Sequence, residues 1–446
     1  MKKTWNQDLT EGNITASLLW FAFPMMVGNL LQQLYNIVDT LIVGRFLGKE
    51  ALAAVGSSYS LMTFLTSILL GMCMGSGVAF SIYYGKKEWA RMKSCMFHSF
   101  VMIGSAAAGI SIAVFAGLDV ILTLLQVPGD ILGLMGEYLW VIFFGILATF
   151  LYNYFASLLR AIGNSVIPLL FLGISALLNI GLDLWFIIEL QRGVRGAAEA
   201  TVLSQYVSGI GIMVYTAVCF PELRLRKRDW RWQKGILSEI FQLSFLTCIQ
   251  QSVMNFGILM IQGLVNSFGA VVMAAFSVAV KIDTFAYMPV QDFGNAFSTF
   301  VAQNYGAGKK DRIQEGFHRA VKAAFVFGAV VSALVFIFAR PLMLIFVKPQ
   351  EAEVIQVGMS YLRIEGSFYC LIGFLFLWYG YYRAVKRPGM SVVLTVVSLG
   401  TRVVLAYVLS GILAVGVSGI WAAVPIGWFL ADAAGLVYYR RMQKQK

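Results

Sequence analysis

Residues 14–44 read ITASLLWFAFPMMVGNLLQQLYNIVDTLIVG, an apolar run long enough to cross a bilayer as one helix. Asp39 is the only charged residue in this run. A carboxylate inside a membrane-spanning helix is costly unless something compensates its charge. The run therefore predicts a membrane protein and marks Asp39 as a candidate functional residue.

The composition of the whole chain indicates an all-α polytopic membrane protein. Of its 446 residues, 59% are hydrophobic and only 13% are charged; soluble domains are about one quarter charged. In lipid the backbone must satisfy its own hydrogen bonds, which leaves helices or a closed barrel. The apolar runs are continuous and lack the alternation of barrel strands. The five cysteines show no metal-site spacing, and no cofactor is predicted.

Apolar segments predict twelve membrane helices and their orientation. The segments are 15–43, 52–83, 95–117, 131–156, 165–188, 196–219, 236–265, 270–303, 317–345, 354–381, 390–413 and 417–439. With a cytoplasmic N-terminus, 25 of the 34 lysines and arginines lie on the cytoplasmic side and 7 lie outside. This excess predicts a cell-membrane protein with both termini in the cytoplasm. It also explains the net charge of +12 by contacts with membrane lipids, without nucleic acid.

The two halves of the sequence repeat each other. Gly48 falls on Gly269 at an offset of 221, and Arg160 falls on Arg383 at an offset of 223. Six spans in each half give both repeats the same membrane orientation. The predicted domains are an N-terminal six-helix lobe at 1–220, a cytoplasmic linker at 221–235 and a C-terminal six-helix lobe at 236–446.

Spans of the first half carry polar side chains at one depth. Asn179 and Asp183 share a face of span 5, and Thr201 enters span 6 at a similar depth. Asp39 lies at this depth in span 1, with Asn36 one turn before it. Because no lysine or arginine lies inside spans 1–6, the carboxylates must bind a cation or take up protons. The oxygen atoms of Asp39, Asn179, Asp183 and Thr201 suit Na⁺ as well as H⁺.

The second half carries charges of both signs. Lys281, Glu365 and Arg402 each lie well inside a span, and the spacing of eleven puts Asp292 on the same helix face as Lys281. Opposite charges at one depth are most simply interpreted as internal ion pairs. The alternative is that these four residues, together with Gln251, line a substrate cavity. Both interpretations stay open.

Three stretches resemble the multidrug and toxic compound extrusion (MATE) family. They are FAFPMMVGNLLQQLYNIVDTLIVGRFLGKEALAAVG, RGVRGAAEAT and KIDTFAYMPVQDFGNAFSTFVAQNYGAGKKDR. The resemblance covers essentially the whole chain. It implies two pseudo-symmetric six-helix lobes around a central cavity, in a monomeric transporter without enzyme activity. It also implies export of small-molecule drugs or toxic metabolites, mostly lipophilic cations, driven by inward H⁺ or Na⁺.

The resemblance also assigns roles to single residues. Asp39 matches the span 1 carboxylate of the family. Asn179, Asp183 and Thr201 match the first-lobe cation site of the DinF-like and archaeal members, which places the chain closer to that branch. The NorM-like branch instead has acids in spans 7 and 10, where this chain has Gln251 and the acid-free stretch FYCLIGFLFLWYGYYR. A second-lobe Na⁺ site of the NorM kind is therefore not expected.

Other functions are weighed against export. A flippase of the same superfamily, acting on lipid-linked precursors or polysaccharides, would use Lys281 and Arg402 to hold a pyrophosphate headgroup; the first-half acids disfavour it. A membrane enzyme would need His, Ser or Cys clustered at one membrane face, and a channel would conduct faster than a carrier. Glu199 stands where the family usually has an apolar residue, and the sequence does not explain it.

Overall fold

A computed structural model describes residues 6–124, 127, 129–230, 232–411 and 415–444. Parts of the predicted lobes, and Arg231 of the predicted linker, lie outside these residues. Within them the chain is helical and forms no strand. The helices are α1 Ile14–Phe46, α2 Lys49–Gly85, α3 Trp89–Ala116, α4 Leu118–Leu124, α5 Gly129–Ile142, α6 Gly145–Ala161, α7 Val166–Leu184, α8 Gly193–Cys219, α9 Lys234–Asn266, α10 Ala270–Gly306, α11 Lys310–Ile337, α12 Ala339–Leu344, α13 Ala352–Gly366, α14 Tyr369–Ala384, α15 Pro388–Ser410 and α16 Val417–Lys444.

The described helices confirm the predicted membrane architecture. Ten are long and apolar enough to cross a membrane, and two bent pairs raise the number to twelve when each pair is one span. The pairs are α5 with α6, bent by 44°, and α13 with α14, bent by 51°. They correspond to predicted spans 4 and 10, which are therefore broken and not straight. Hydropathy does not reveal the bend in span 4 because the apolar sequence continues across it; the bend in span 10 falls at Gly366 and Ser367, directly after Glu365.

The sequence repeat has a counterpart in the helices. α2 and α10 each contain 37 residues, and α3 and α11 each contain 28. Gly48 and Gly269 precede α2 and α10 with φ angles of 89° and 92°, a conformation that favours glycine. α5 begins at Gly129 and α13 at Ala352, an offset of 223. The two halves thus repeat both their helix lengths and their breaks.

Two asparagines help to begin the helices that carry the first-half acids. Asn13 Oδ1 accepts a hydrogen bond from the Ala16 N–H at 3.1 Å, at the start of α1. Asn164 Oδ1 accepts one from the Ile167 N–H at 3.1 Å, at the start of α7. Such bonds satisfy amide groups that have no partner within the helix itself. The sequence therefore sets where each helix starts, and hence the position of each acid along it.

The chain divides into two compact units. Unit 1 comprises Met1–Asp8 and Phe23–Cys248, and unit 2 comprises Leu9–Ala22 and Ile249–Lys446. The boundary between the units therefore lies inside α9, whereas the sequence predicted it in the linker at 221–235.

Close packing of α2 on the first half of α9 explains this boundary. Ser76 Oγ and Ser244 Oγ are hydrogen bonded at 2.9 Å, and the Tyr83 hydroxyl donates to Glu239 Oε2 at 2.8 Å. A β-carbon added at Gly75 would lie 2.5 Å from the Leu243 carbonyl oxygen. The missing side chain lets the two backbones approach, so the first half of α9 belongs to unit 1.

The segment Leu9–Ala22 belongs to unit 2 because of hydrogen bonds from α10 and α11. The Leu9 N–H donates to Gln303 Oε1 at 3.2 Å, and Asn304 Nδ2 donates to the Leu9 carbonyl at 3.1 Å. Arg312 donates to the Gly12 carbonyl at 2.8 Å. Side chains from α10 and α11 thus bind the backbone that leads into α1.

Candidate functional site

Asp39 of α1 and Asp183 of α7 lie side by side in unit 1. Their carboxyl groups are neighbours, at a separation that allows one proton to be shared between them. Asp183 has no exposed surface, and Asp39 is half-buried. Among the described residues, Asp39 Oδ1 and both carboxyl oxygens of Asp183 have no hydrogen-bond partner. The pair therefore presents unused acceptor oxygens at a buried position.

Asn179 and Thr201 extend this group of oxygens. Asn179 Nδ2 donates to Thr201 Oγ1 at 3.3 Å, and Thr201 Oγ1 donates to the Ala197 carbonyl at 3.1 Å. These bonds use the Thr201 hydroxyl hydrogen and one of the two Asn179 amide hydrogens. Asn179 Oδ1 is consequently left buried and without a partner in the described part of the chain. Asn179 precedes Asp183 by one helical turn, so both present oxygens on one face of α7.

The structure thus brings Asp39, Asn179, Asp183 and Thr201 into one unit, with hydrogen bonds or neighbouring carboxyls joining them in pairs. Asn36 is half-buried one turn before Asp39. Its backbone carbonyl accepts a hydrogen bond from Thr40 Oγ1 at 2.7 Å. No contact of the Asn36 side chain with the acids is seen among the described residues, and its role at the site stays a prediction.

Two tyrosines of the site were not predicted from the sequence. Tyr35 and Tyr138 both lie within electrostatic range of Asp39 and Asp183. Tyr35 precedes Asp39 by four residues, a spacing that could have indicated a shared helix face. Tyr138 comes from α5, and no local pattern links it to the acids. It reaches them only through the packing of the helices.

The backbone widens directly after Asp183. Residues Trp185–Glu189 form a π-helical turn, in which the Leu190 N–H donates to the Trp185 carbonyl at 3.0 Å. Such turns insert one extra residue into an α-helix and are frequent at functional sites. Asp183 therefore lies two residues before this π-helical turn.

The chemistry of this site follows from its charge. No basic side chain in the described ranges forms an ion pair with Asp39 or Asp183. Two buried carboxylates without a counter-charge are unfavourable, because desolvation and mutual repulsion both oppose their ionisation. Carboxylate, amide and hydroxyl oxygens are ligands suited to a hard cation, and neighbouring carboxyls can also share a proton. The site can therefore bind a monovalent metal cation or protons.

Unit 2 contains a second buried group of charges. Asp283 of α10, Glu365 of α13 and Arg402 of α15 lie within charge range of one another. Glu365 and Arg402 had been predicted from the sequence, as either an ion pair or a substrate wall. We name this group the unit 2 cluster; it consists of Asp283, Tyr287, Tyr361, Glu365, Tyr369 and Arg402.

Three other residues of unit 2 were predicted from the sequence: Lys281, Asp292 and Gln251. Lys281 is exposed, whereas Asp292 is buried, so the two side chains differ in their surroundings. The reason is that α10 packs against α11, α13 and α14 in turn, and one helix face therefore meets several neighbours. Their place in a substrate cavity stays a prediction. Gln251 is half-buried in α9. Its contact with substrate stays a prediction.

Two further acids, Glu199 and Asp432, lie outside these two sites. Glu199 accepts charged hydrogen bonds from Arg192 and, at 3.0 Å, from Arg195 Nε. Its position among apolar residues is thus explained by two arginines near the start of α8. Asp432 of α16 was not predicted as a notable residue. Both of its carboxyl oxygens are buried and lack a hydrogen-bond partner in the described residues.

Within the part of the chain that the structure describes, up to twelve apolar helices in two repeated halves define a polytopic α-helical membrane protein. The MatE family model matches residues 24–185 and 244–408, one stretch in each half. Since these stretches cover most of the chain, the chain belongs to the MatE family. The family resemblance seen in the three sequence motifs is thereby confirmed; its placement near the DinF-like branch stays a prediction.

Known relatives are similar along their whole length. The probable multidrug resistance protein YpnP of Bacillus subtilis is 29% identical over 439 residues, covering 97% of this chain and 96% of the relative. The probable multidrug resistance protein NorM of Thermotoga maritima is 27% identical over 418 residues, covering 92% and 88%. A MOP superfamily transporter from Pyrococcus furiosus superposes with a TM-score of 0.92 at 25% identity, covering 99% and 98%.

Proposed function

We propose that this chain is a secondary active multidrug exporter, which exchanges lipophilic, mostly cationic compounds for inward H⁺ or Na⁺. The observation that carries this proposal is the pair of neighbouring acids Asp39 and Asp183, which lies with Asn179 and Thr201 and has no basic partner in the described residues. Two neighbouring carboxylates without a basic partner are stabilised most by a bound cation. The multidrug relatives support the substrate class, and the transport cycle requires no covalent chemistry.

Cation binding would change the conformational preference of unit 1. While both acids are ionised, closing the helices around them is unfavourable, because the charges would lose solvent. A bound cation removes this penalty and shifts the population toward the closed arrangement. Pro24 lies inside α1 and cannot donate an intrahelical hydrogen bond, which gives that helix a place to bend. Closure would then expel a bound cationic drug by repulsion and repacking.

Transport in proteoliposomes tests the proposal and separates the two ions. Purified protein would be reconstituted, and accumulation of ethidium, a lipophilic cation, would be followed under a pH difference alone or a Na⁺ difference alone. We expect at least one gradient to drive accumulation in the wild type. Failure of both gradients would contradict cation-coupled export.

A matched pair of variants links transport to the site. Asp39→Asn should abolish gradient-driven accumulation, since the amide cannot carry the coupling charge. Asp119→Asn, at an exposed position in the short helix α4, should leave it intact. Equal activity of the two variants would show that Asp39 is not the coupling residue.

The flippase alternative makes a different demand on unit 2. It needs a cationic side chain available to a pyrophosphate, but Arg402 already lies within charge range of Asp283 and Glu365. Exposed Lys281 is the remaining candidate. A fluorescent lipid-linked pyrophosphate scrambled by the protein, in the absence of ethidium transport, would favour the flippase.

The membrane orientation is part of the same proposal. The excess of basic residues at one side favours cytoplasmic termini in the cell membrane. A protease-cleavable tag after Lys446 should be cut in inverted membrane vesicles and protected in intact cells. A tag cut in intact cells would reverse the orientation.

A further inference from the structure

Asp283 and Glu365 of the unit 2 cluster form a second buried acid pair. Their exposed fractions are 5% and 2%. Asp283 Oδ1 and Glu365 Oε2 have no hydrogen-bond partner among the residues described. Neither acid falls on an acid in the first half: at the repeat offsets Asp283 matches Met62 and Glu365 matches Ile142. The second pair is therefore not a copy of the first.

Tyrosine hydroxyl groups from three helices lie near this acid pair. The Tyr361 hydroxyl lies within hydrogen-bonding reach of both Asp283 and Glu365. The Tyr369 hydroxyl faces Asp283 without completing a hydrogen bond. Tyr287 is a further titratable neighbour and lies on α10, the helix of Asp283. A polar interior with unused donors and acceptors is unfavourable, and it indicates that a ligand or proton completes it.

The repeat relates this cluster to the site in unit 1. Tyr361 corresponds to Tyr138 at the offset of 223, and each tyrosine lies beside the acid pair of its own unit. Arg402 corresponds to Asn179 at the same offset. Where unit 1 offers an amide oxygen, unit 2 therefore places a guanidinium, which has donors only and a fixed positive charge.

The charges of the cluster select a proton over a metal ion. Two carboxylates and the Arg402 guanidinium leave one negative charge uncompensated, which one proton neutralises. A Na⁺ ion between the acids would lie close to the guanidinium, and the two positive charges would repel each other in a low-dielectric interior. A proton bound to one carboxyl oxygen avoids this repulsion because it leaves the second carboxylate to pair with Arg402.

We propose that the unit 2 cluster is a second cation site, which holds one proton on Asp283 or Glu365 and rejects Na⁺. The proton forms an O–H bond on one carboxyl, and the Tyr361 hydroxyl, which lies within hydrogen-bonding reach of both acids, connects that carboxyl to the other. The proton is released to water as the same carboxyl ionises. The contribution of this site to transport rests on the proposed function, but proton binding itself does not.

Infrared difference spectroscopy of the full-length protein tests the site directly. The starting protein would carry Asp39→Asn and Asp183→Asn, so that the unit 1 acids contribute no signal. The carbonyl band of protonated carboxylic acids would be titrated with pH in choline chloride and again in NaCl. We expect a titrating band that NaCl does not diminish.

Single variants assign this band. Asp283→Asn or Glu365→Gln in the same background should remove it, whereas Glu353→Gln should not, since Glu353 is an exposed acid of the same helix as Glu365. Arg402→Gln should enlarge the band, because the second carboxylate then also needs a proton, and should let NaCl compete. Monodisperse elution on size exclusion would establish that each variant is folded.

Two results would overturn the proposal. One is a band that keeps its full amplitude in both Asp283→Asn and Glu365→Gln. The other is a band that NaCl abolishes in the protein with Arg402 intact, which would make the cluster a Na⁺ site.

Transport then tests the role of the second proton. At an imposed difference of one pH unit, loss of one coupled proton lowers the limiting ethidium accumulation about tenfold. We expect this loss in Asp283→Asn. An unchanged ratio would contradict a coupling role. If no gradient drives export even in the wild type, the proposed function fails, while the infrared titration still decides whether the proton site exists.

Discussion

If Asp39 and Asp183 form one cation site, removing either carboxylate should have the same effect as removing both. The two carboxyl groups are neighbours and share their surroundings in unit 1. Substitutions of residues that hold the same bound ion have strongly non-additive effects on transport, whereas the effects of substitutions at independent sites add. We therefore expect Asp39→Asn, Asp183→Asn and the double variant to lose gradient-driven export to the same extent.

The expected magnitude follows from the number of coupled cations. One monovalent cation moving down a tenfold gradient releases about 1.4 kcal/mol, which sustains an accumulation ratio of about tenfold. If the unit 1 site couples one cation, each single variant should lower its contribution to the ethidium accumulation ratio from about tenfold to about one. This change corresponds to a loss of about 1.4 kcal/mol. The double variant should lose no more. The interaction energy between the two substitutions is then about 1.4 kcal/mol in magnitude, where independent sites would give about zero.

The assay is steady-state ethidium accumulation in proteoliposomes under one imposed ion gradient. Asp119→Asn serves as the control for the removal of an exposed acid of unit 1. Partial loss in each single variant, with free-energy losses that sum in the double variant, would refute a shared site. It would show instead that the two acids bind separate ions.

Three further predictions concern stability, measured as thermal unfolding monitored by size exclusion. Gly75→Ala should destabilise unit 1 by about 1–3 kcal/mol, because the added β-carbon overlaps α9; Gly56→Ala in the same helix, with open space around it, should not. Tyr382→Phe should cost about 1 kcal/mol, since it removes a buried 2.6 Å hydrogen bond to a backbone carbonyl; Tyr407→Phe, at an exposed position, is the control. Glu199→Gln should change stability by less than about 1 kcal/mol, because its arginine partners are about half exposed.

Hydropathy, together with the position of each residue along its span, predicted most of the helical architecture and identified the acids Asp39 and Asp183 of the first half. A rise of about 1.5 Å per residue is enough to place Asp39 and Asp183 at similar depth in their spans. The same reasoning could not find Tyr138, because α5 and α1 are far apart in sequence and only their packing relates them. Nor could it find the break in span 4, where apolar residues continue through the bend. The break in span 10 falls at Gly366 and Ser367, a short polar step that a hydropathy average does not separate from the span.

The charges of unit 2 show a different limit. Helical spacing placed Lys281 with Asp292, since it states which residues of one helix share a face. It does not state which neighbouring helix covers that face. The structure instead groups Asp283 with Glu365 and Arg402, from three helices. Burial of polar atoms without partners, visible only in the folded chain, is the observation that identified this cluster.

The two acid pairs differ in charge, and this difference has an energetic consequence for export. Exchange of a monovalent cationic drug for a single cation moves no net charge, so the membrane potential contributes nothing. A second coupled proton at the unit 2 cluster makes the exchange move one positive charge inward. That charge adds about 2.3 kcal/mol of driving force per 100 mV of potential. Acid pairs in both units would therefore let the membrane potential, and not only the ion gradient, drive export.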